Sequence, residues 1–354
     1  MTLDKIRIAD RWVGEGEPCF IVAEAGSNHN GNLDQALAII DVAKQCKADA
    51  VKFQNFRADK LYPRQAGTSD YLPNKKPIYD IIKSMEMPES WIPVLADYCK
   101  AREIIFFSAP FDEESADRLE PFVPVYKIAS YEMTHAPLIR HVARKCKPMI
   151  LSTGAGDMME VRQALEWCRA EGNQQVVLLQ CTASYPAPLD SLNIRALVTM
   201  RQVCGVPSGL SDHSRDPLIA PLTAVALGAS VIEKHLTLSN RLPGPDHAYA
   251  VEPHEFASMV TAIRNVEQAL GDGRKVSHPV EEELCKFARR SIYAIRSIMK
   301  GERFTVANVA VLRCGKLTAG LEPRYWEEVL GQTARKDLKE GNAIEATDCG
   351  IASV

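Results

Sequence analysis

Two histidines stand at the ends of successive apolar runs, His213 in GLSDHS and His235 in VIEKHLT. Neutral imidazoles suit a divalent transition metal, and a centre with two protein ligands leaves positions for water and a substrate oxygen. Such a centre would polarise a carbonyl as a Lewis acid. Earlier runs end in complementary groups: Glu24, then Lys52 and Gln54, Ser108, Lys127 and Ser130, Ser152 and Thr153, Thr182 and Ser184 with Tyr185 beyond. Ser211 precedes His213, and Glu233 precedes His235. Two lysines among hydroxyls would hold a phosphate beside a carboxylate. Each residue also has an ordinary reading. A strand-end serine caps the following helix, a lysine there is a solvated rim residue, Glu24 pairs with a neighbouring lysine, and Asp246 in PGPDH caps a turn. Glu233 and Lys234 are adjacent on one strand, so only one faces inward, and His235 shares the face of Glu233.

The elements that must position these groups follow a regular order. From Phe20 onward, FIVAEAG, ADAVKFQ, EIIFFSAP, VPVYKIAS, KPMILSTG, QVVLLQCT, GVPSGLSD and ASVIEKHL alternate with segments of helical period. Leu33, Ala36, Leu37, Ile40 and Ala43 trace one such helix. Another runs from Phe256 to Leu270, with Pro253 as a first-turn residue. Eight strand–helix units predict an α/β fold, a closed (β/α)8 TIM barrel over residues 1–271, and chemistry at the carboxyl ends of its strands. An open doubly wound sheet is the alternative. The polar stretch DGRKVSHPVEEE opens a linker over 272–289. A small β-rich module over 290–354 follows, in which SIMKGERFTVANV and DLKEGNAIEATDC align without gaps. The alignment matches Ile298 with Leu338, Gly301 with Gly341, Phe304 with Ile344 and Asn308 with Asp348. Each half reads as strand, Gly turn, short strand and capped helical turn.

Composition narrows the partners. The chain has 354 residues and a net charge of −3, with its lysines and arginines dispersed, which argues against nucleic acid and anionic membranes as partners. A small molecule is expected. Ten cysteines without CxxC pairing, and a start lacking an apolar signal region, imply reduced thiols and a cytoplasmic protein. No apolar run approaches the roughly 20 residues that span a bilayer.

In their order, FIVAEAGSNHNGNLDQALAIIDVAKQCKADAVKFQ, YKIAS, ILSTG, LLQCTASYPAP, GLSDHS, IEKHLTLS and PGPDHAYAVEP resemble the sialic acid synthases, and RRSIYAIRSIMKGERFT resembles the start of their antifreeze-like (SAF) domain. The resemblance implies condensation of phosphoenolpyruvate with an N-acetylated hexosamine, foremost N-acetylmannosamine, to a nine-carbon 2-keto sugar acid and phosphate. Legionaminic and pseudaminic acid synthases, which take a diacetamido-trideoxyhexose, are the variants within the family. The resemblance assigns Mn2+ or Mg2+ to His213 and His235, the phosphoenolpyruvate anion to Lys52, Lys127, Ser130, Ser152 and Ser211, and acid–base work to Glu24. Gln54, Tyr185, Glu233 and Asp246 fall on sugar-contacting or site-organising positions, and Asn74 is an expected sugar contact from its place in the segment from Tyr62 to Lys83. It further implies a domain-swapped homodimer in which Arg313 reaches the partner's sugar.

Three departures stand out. Ala109 replaces a threonine common in the family, with Ser108 adjacent; Ala183 and Ser184 stand where relatives often have asparagine; Cys314 replaces a proline after Arg313. Two competing readings are a Schiff-base aldolase on Lys52, Lys127 or Lys234, and a non-catalytic carbohydrate- or ice-binding protein. The segment from Tyr62 to Lys83 resembles the family least and is where sugar specificity is expected.

Overall fold

Strands that are apolar on both faces are stable only when both faces are covered. In the computed structural model, which describes residues 5–68 and 76–352, the eight runs achieve this by closing on themselves. An antiparallel hairpin, β1 (Ile6–Ile8) and β2 (Arg11–Val13), comes first. The barrel strands are β3 (Phe20–Gly26), β4 (Ala50–Asn55), β5 (Ile105–Pro110), β6 (Tyr126–Ile128), β7 (Met149–Ser152), β8 (Val176–Cys181), β9 (Ser208–Asp212) and β10 (Val231–His235). Each pairs in parallel with the next, and β10 pairs with β3. The hairpin, which the sequence reading does not assign, buries Ile6, Ile8 and Val13 in the barrel's core cluster. Arg11 pairs with Asp49, at the amino end of β4, so the hairpin lies at the end opposite the strand-end residues.

The covering helices are α1 (Leu33–Gln45), α2 (Ala58–Leu61), α3 (Ile78–Met85), α4 (Trp91–Ala101), α5 (Glu113–Leu119), α6 (Ala136–Arg144), α7 (Met158–Ala170), α8 (Ala196–Cys204), α9 (Ile219–Ala226) and α10 (Pro253–Leu270). Local chemistry starts several of them. The side chain of Asn32 accepts from the Gln35 N–H, Asp112 from Ser115, and Asp157 forms a reciprocal capping box with Glu160. Pro253 opens α10, where its missing N–H costs nothing. The apolar stripes of α1 and α10 bury Ala36, Ile39 and Ile40, and Phe256, Met259 and Ile263. Each large side chain so buried contributes about 1.5–3 kcal/mol. No helix among the described residues is long and apolar enough to cross a membrane.

The chain divides into two compact units, Met1–Gly271 and Asp272–Val354. The second has its own core, including Ile292, Ile298, Phe304, Val309 and Ile344. Its antiparallel pair is β11 (Arg290–Ala294) and β12 (Val309–Arg313). The aligned segments are related in structure as in sequence. Ile298 and Leu338 face each other across an antiparallel bridge, exchanging N–H···O bonds of 2.8 Å. Gly301 and Gly341 turn with φ of 89° and 81°, in the left-handed region that glycine enters without strain. Asn308 accepts the Thr305 N–H as Asp348 accepts that of Glu345. The strands expected within each half reduce to isolated bridges, since their residues alternate too briefly to build a ladder. The stretch read as a linker holds a short helix, α11 (Glu282–Ala288), whose residues are half-exposed or exposed.

Candidate functional site

Barrel register brings the strand-end groups onto one floor. Glu24 lies beside Lys52 on the β3–β4 ladder and beside His235 on the β10–β3 ladder, while Glu233 lies beside Ser211. Lys52 Nζ is 2.8 Å from Glu24 Oε2 and 3.5 Å from Glu233 Oε1. Lys127 Nζ is 3.7 Å from that same Glu233 oxygen and donates to Ser152 Oγ at 2.7 Å. Gln54 donates to Glu24 Oε1 at 2.8 Å, and Ser211 Oγ lies 3.4 Å from Glu233 Oε1. These lysines and glutamates are at most 4% exposed. They open into a cavity of about 540 Å³. The second oxygen of Glu233 is buried and accepts no hydrogen bond from the described residues, so the floor retains acceptor capacity.

The two carboxyls differ electrically. Burial raises Glu24 above its ordinary range despite Lys52 beside it. Burial pushes Glu233 up too, but Lys127 and Lys52 outweigh it and hold that group low. In Lys52 burial is outweighed by Glu233 and Glu24, which raise its ammonium, whereas burial lowers Lys127 against the pull of Glu233. A carboxyl raised beside one held ionised is an arrangement suited to proton transfer.

His213 and His235 stand on the same rim with ring centroids 5.4 Å apart. The Nδ1 of His213 is 2.9 Å from the Thr182 carbonyl, which can only accept. Burial lowers this imidazole, but Cys181, the Thr182 carbonyl and Glu233 outweigh it and raise the group; in its neutral ring the proton sits on Nδ1 and leaves Nε2 with its lone pair, the tautomer a metal ligand needs. Burial drives His235 well below its ordinary value, which keeps it neutral. Asp246 Oδ2 is 3.9 Å from His235 Nδ1. Gly26, at φ 53°, makes room for that carboxylate, which would lie 2.9 Å from a Cβ there. Tyr185 packs on His213 at 4.2 Å between centroids, and Tyr249 on His235 at 5.0 Å. The histidine pair fits a divalent cation. Among the described residues no group of three or more His, Cys, Asp or Glu side chains has metal-holding spacing, so further ligands would come from substrate and water.

Ser130 lines the cavity, its Oγ accepting the Gly154 N–H at 3.1 Å. Other strand-end residues turn away. Thr153 donates to the Leu179 carbonyl, Thr182 to Ser191 and Ser184 to Pro186. Ser108 does not substitute for the hydroxyl missing at Ala109: it alternates to the opposite face and donates to the Phe53 carbonyl at 3.0 Å. Lys234 also points outward, pairing with Asp212 at 2.6 Å, which removes it as an aldolase nucleophile. Asn74 lies outside the described residues. Arg313 ends β12 in the second unit and is exposed. The sequence reading missed Glu132 and Tyr249, both of which line the cavity. Glu132 is buried with one carboxylate oxygen unpartnered among the described residues, and burial, partly offset by its own backbone and by Lys127, pushes its pKa up to about 7. Its signal was its position two residues after Ser130.

A closed parallel barrel with a buried polar floor at the carboxyl ends of its strands is the architecture of a (β/α)8 enzyme. More narrowly, this chain belongs to the NeuB family, whose profile matches residues 39–275, and it carries a SAF domain matched over residues 289–348. It is similar to the spore coat polysaccharide biosynthesis protein SpsE of Bacillus subtilis, 43% identical with 96% of this chain and 95% of that protein covered. Pseudaminic acid synthase of Campylobacter jejuni is 37% identical, with 93% and 96% covered. The crystal structure of N-acetylneuraminic acid synthetase from Leptospira borgpetersenii, in complex with citrate, matches with a TM-score of 0.73 at 32% identity, over 80% of this chain and 95% of that one. The chain is thus an enzyme of the sugar-acid synthase family with a barrel and a SAF domain.

Proposed function

We propose that this enzyme condenses phosphoenolpyruvate with an N-acetylated hexosamine and water, yielding a nine-carbon 2-keto sugar acid and inorganic phosphate. N-acetylmannosamine is the first candidate sugar, with the diacetamido-trideoxyhexoses as variants. The observation that carries the reading is the joint presence, in one cavity, of two buried lysines for an anion and two buried histidines for a cation. Neither feature is needed for a barrel to fold, and burying such groups without a ligand is costly.

Lys52 and Lys127 hold the phosphoenolpyruvate anion with help from Ser130, Ser152 and Ser211, so its methylene carbon faces the sugar aldehyde. His213 and His235 would hold Mn2+ or Mg2+, which when bound supplies positive charge for the aldehyde oxygen as it becomes an alkoxide. Gln54, Tyr185, Glu233 and Asp246 orient the sugar. After the C–C bond forms, water adds at C2 and phosphate leaves by C–O cleavage. Glu24, raised by burial and hydrogen-bonded to Gln54, takes the water's proton.

Phosphate release from phosphoenolpyruvate plus sugar, with Mn2+ and again with EDTA, tests the reading. Release that needs both sugar and metal is the expected outcome. Silence with every N-acetylated hexosamine in the presence of metal would overturn it.

A further inference from the structure

The two imidazoles on the rim are held by different kinds of partner. His213 gives its Nδ1 to a backbone carbonyl, that of Thr182 at 2.9 Å, which no substitution removes. His235 turns its Nδ1 to a side chain, the Tyr249 hydroxyl at 3.4 Å. That tyrosine comes from the loop after β10, which folds back beside its own strand. The Val251 N–H donates to the His235 carbonyl at 2.9 Å, and the Thr237 N–H to the Val251 carbonyl at 3.0 Å. Asn240 fixes the returning stretch by donating to the carbonyls of His247 at 2.6 Å and Ala250 at 2.8 Å, on either side of Tyr249. His247 does not line the cavity; its Nδ1 meets Thr237 Oγ1 at 2.6 Å and pins the loop from below. With its backbone so held, the Tyr249 ring is buried, lines the cavity and packs on Tyr185 at 5.3 Å between centroids.

A phenolic hydroxyl has one proton and two lone pairs. Asp246 takes the proton, since its carboxylate accepts from Tyr249 and from the Ser27 N–H. Toward His235 the phenolic oxygen can then only accept, so the neutral imidazole carries its proton on Nδ1 and keeps the lone pair on Nε2. Asp246 Oδ2 itself stands 3.9 Å from that Nδ1, beyond a direct hydrogen bond, and the tyrosine bridges the gap. We infer that Tyr249 is a positioning residue for the cation centre: it relays the hold of Asp246 to His235 and fixes that imidazole in the tautomer that Thr182 imposes on His213. Outer partners of this kind orient a metal-binding imidazole and raise its basicity. The inference rests on the synthase reading above, which places a divalent cation on the two histidines, and it gives Asp246 a second task beside the sugar.

Two measurements that need no turnover test it. In the metal-free wild-type chain labelled with 15N at histidine, the ring-nitrogen signals distinguish the tautomers, and those of His235 are the ones missing from His235→Ala. They should show the proton on Nδ1; a proton on Nε2 would overturn the inference without any Tyr249 variant having to fold. Titration with Mn2+, followed by loss of the free ion's electron paramagnetic resonance signal, should reveal a site that His235→Ala abolishes. Tyr249→Phe, which keeps the ring and loses the hydroxyl, should raise the Kd of that site roughly ten- to a hundredfold. An unchanged Kd would overturn the inference and leave the synthase reading standing. At saturating Mn2+ the KM for phosphoenolpyruvate, which the lysines set, should be the same in Tyr249→Phe as in the wild type; a KM that rises as much as the Kd would mean general damage to the site and would overturn the specific role. Mn2+ that is not bound by the wild type, or is bound as tightly by His235→Ala, would overturn the histidine cation centre, and the inference with it.

Discussion

Each charged group on the cavity floor is set by its neighbours. Lys52 is shared by Glu24 and Glu233, and Lys127 is balanced between Glu233 and Ser152, so an arriving anion meets ammonium groups already aimed. Glu132 is a buried carboxyl that, like Glu233, has one oxygen unpartnered among the described residues. Its folded pKa is about 7 against an ordinary 4.5. Between those values the folded chain keeps a proton that the unfolded chain has released, so stability is lost as pH rises through that window, by about 3 kcal/mol. Glu132→Gln should remove this slope. Urea unfolding of both proteins at about pH 5 and about pH 8 reads it, and parallel pH profiles would mean that Glu132 titrates normally. Much of this floor was legible in the sequence because strand alternation puts Glu233 and His235 on one face and Lys234 on the other, and the structure shows that the first of these faces is the inner one. Glu132 and Tyr249 were not, because they sit on a 3-10 turn and on the loop after β10, where no period tells which way a side chain points.

Between elements, the ends of β9 and β10 are joined on the outside of the barrel as well as by their ladder. Lys234 Nζ meets Asp212 Oδ2 at 2.6 Å, the Asp216 carbonyl at 3.0 Å, and the Ser214 carbonyl. Both side chains of the pair are at most 1% exposed. Asp212 and Lys234 immediately precede His213 and His235, so this cross-link sets the two strand ends that carry the imidazoles. Lys234→Met leaves a buried carboxylate without its cation and should destabilise the chain by about 3–5 kcal/mol; Lys234→Met with Asp212→Leu, which removes both charges, should cost less. Chemical denaturation of the three proteins decides it, and a single variant as stable as wild type would show that Asp212 is satisfied without the lysine. Sequence alternation put Lys234 on the face opposite Glu233 but named neither that face nor its partner, since both depend on the register of two strands joined by α9. The hairpin of β1 and β2 was likewise hidden, its strands being three residues each.

At the scale of the whole molecule, two units with separate cores divide the proposed machinery, Glu24 on the barrel and Arg313 at the end of β12 in the SAF domain. The swapped dimer that the family resemblance implies makes a quantitative statement about such a division. If each site joins one chain's barrel to the partner's SAF domain, Glu24→Gln and Arg313→Ala each spoil both sites of their own dimers. In a mixed dimer the Glu24→Gln chain still lends a sound Arg313 to the sound barrel of the other chain, and one site of the two is whole. With random pairing half the dimers are mixed, so co-expressing two inactive variants should restore about a quarter of wild-type phosphate release per chain. An enzyme whose chains each complete their own site gives a different result: every barrel in the mixture then lacks either its glutamate or its arginine, and activity stays at the level of the parents. Recovery to about a quarter therefore requires exchange between subunits, and no recovery from mixed dimers verified by mass would rule the swapped arrangement out.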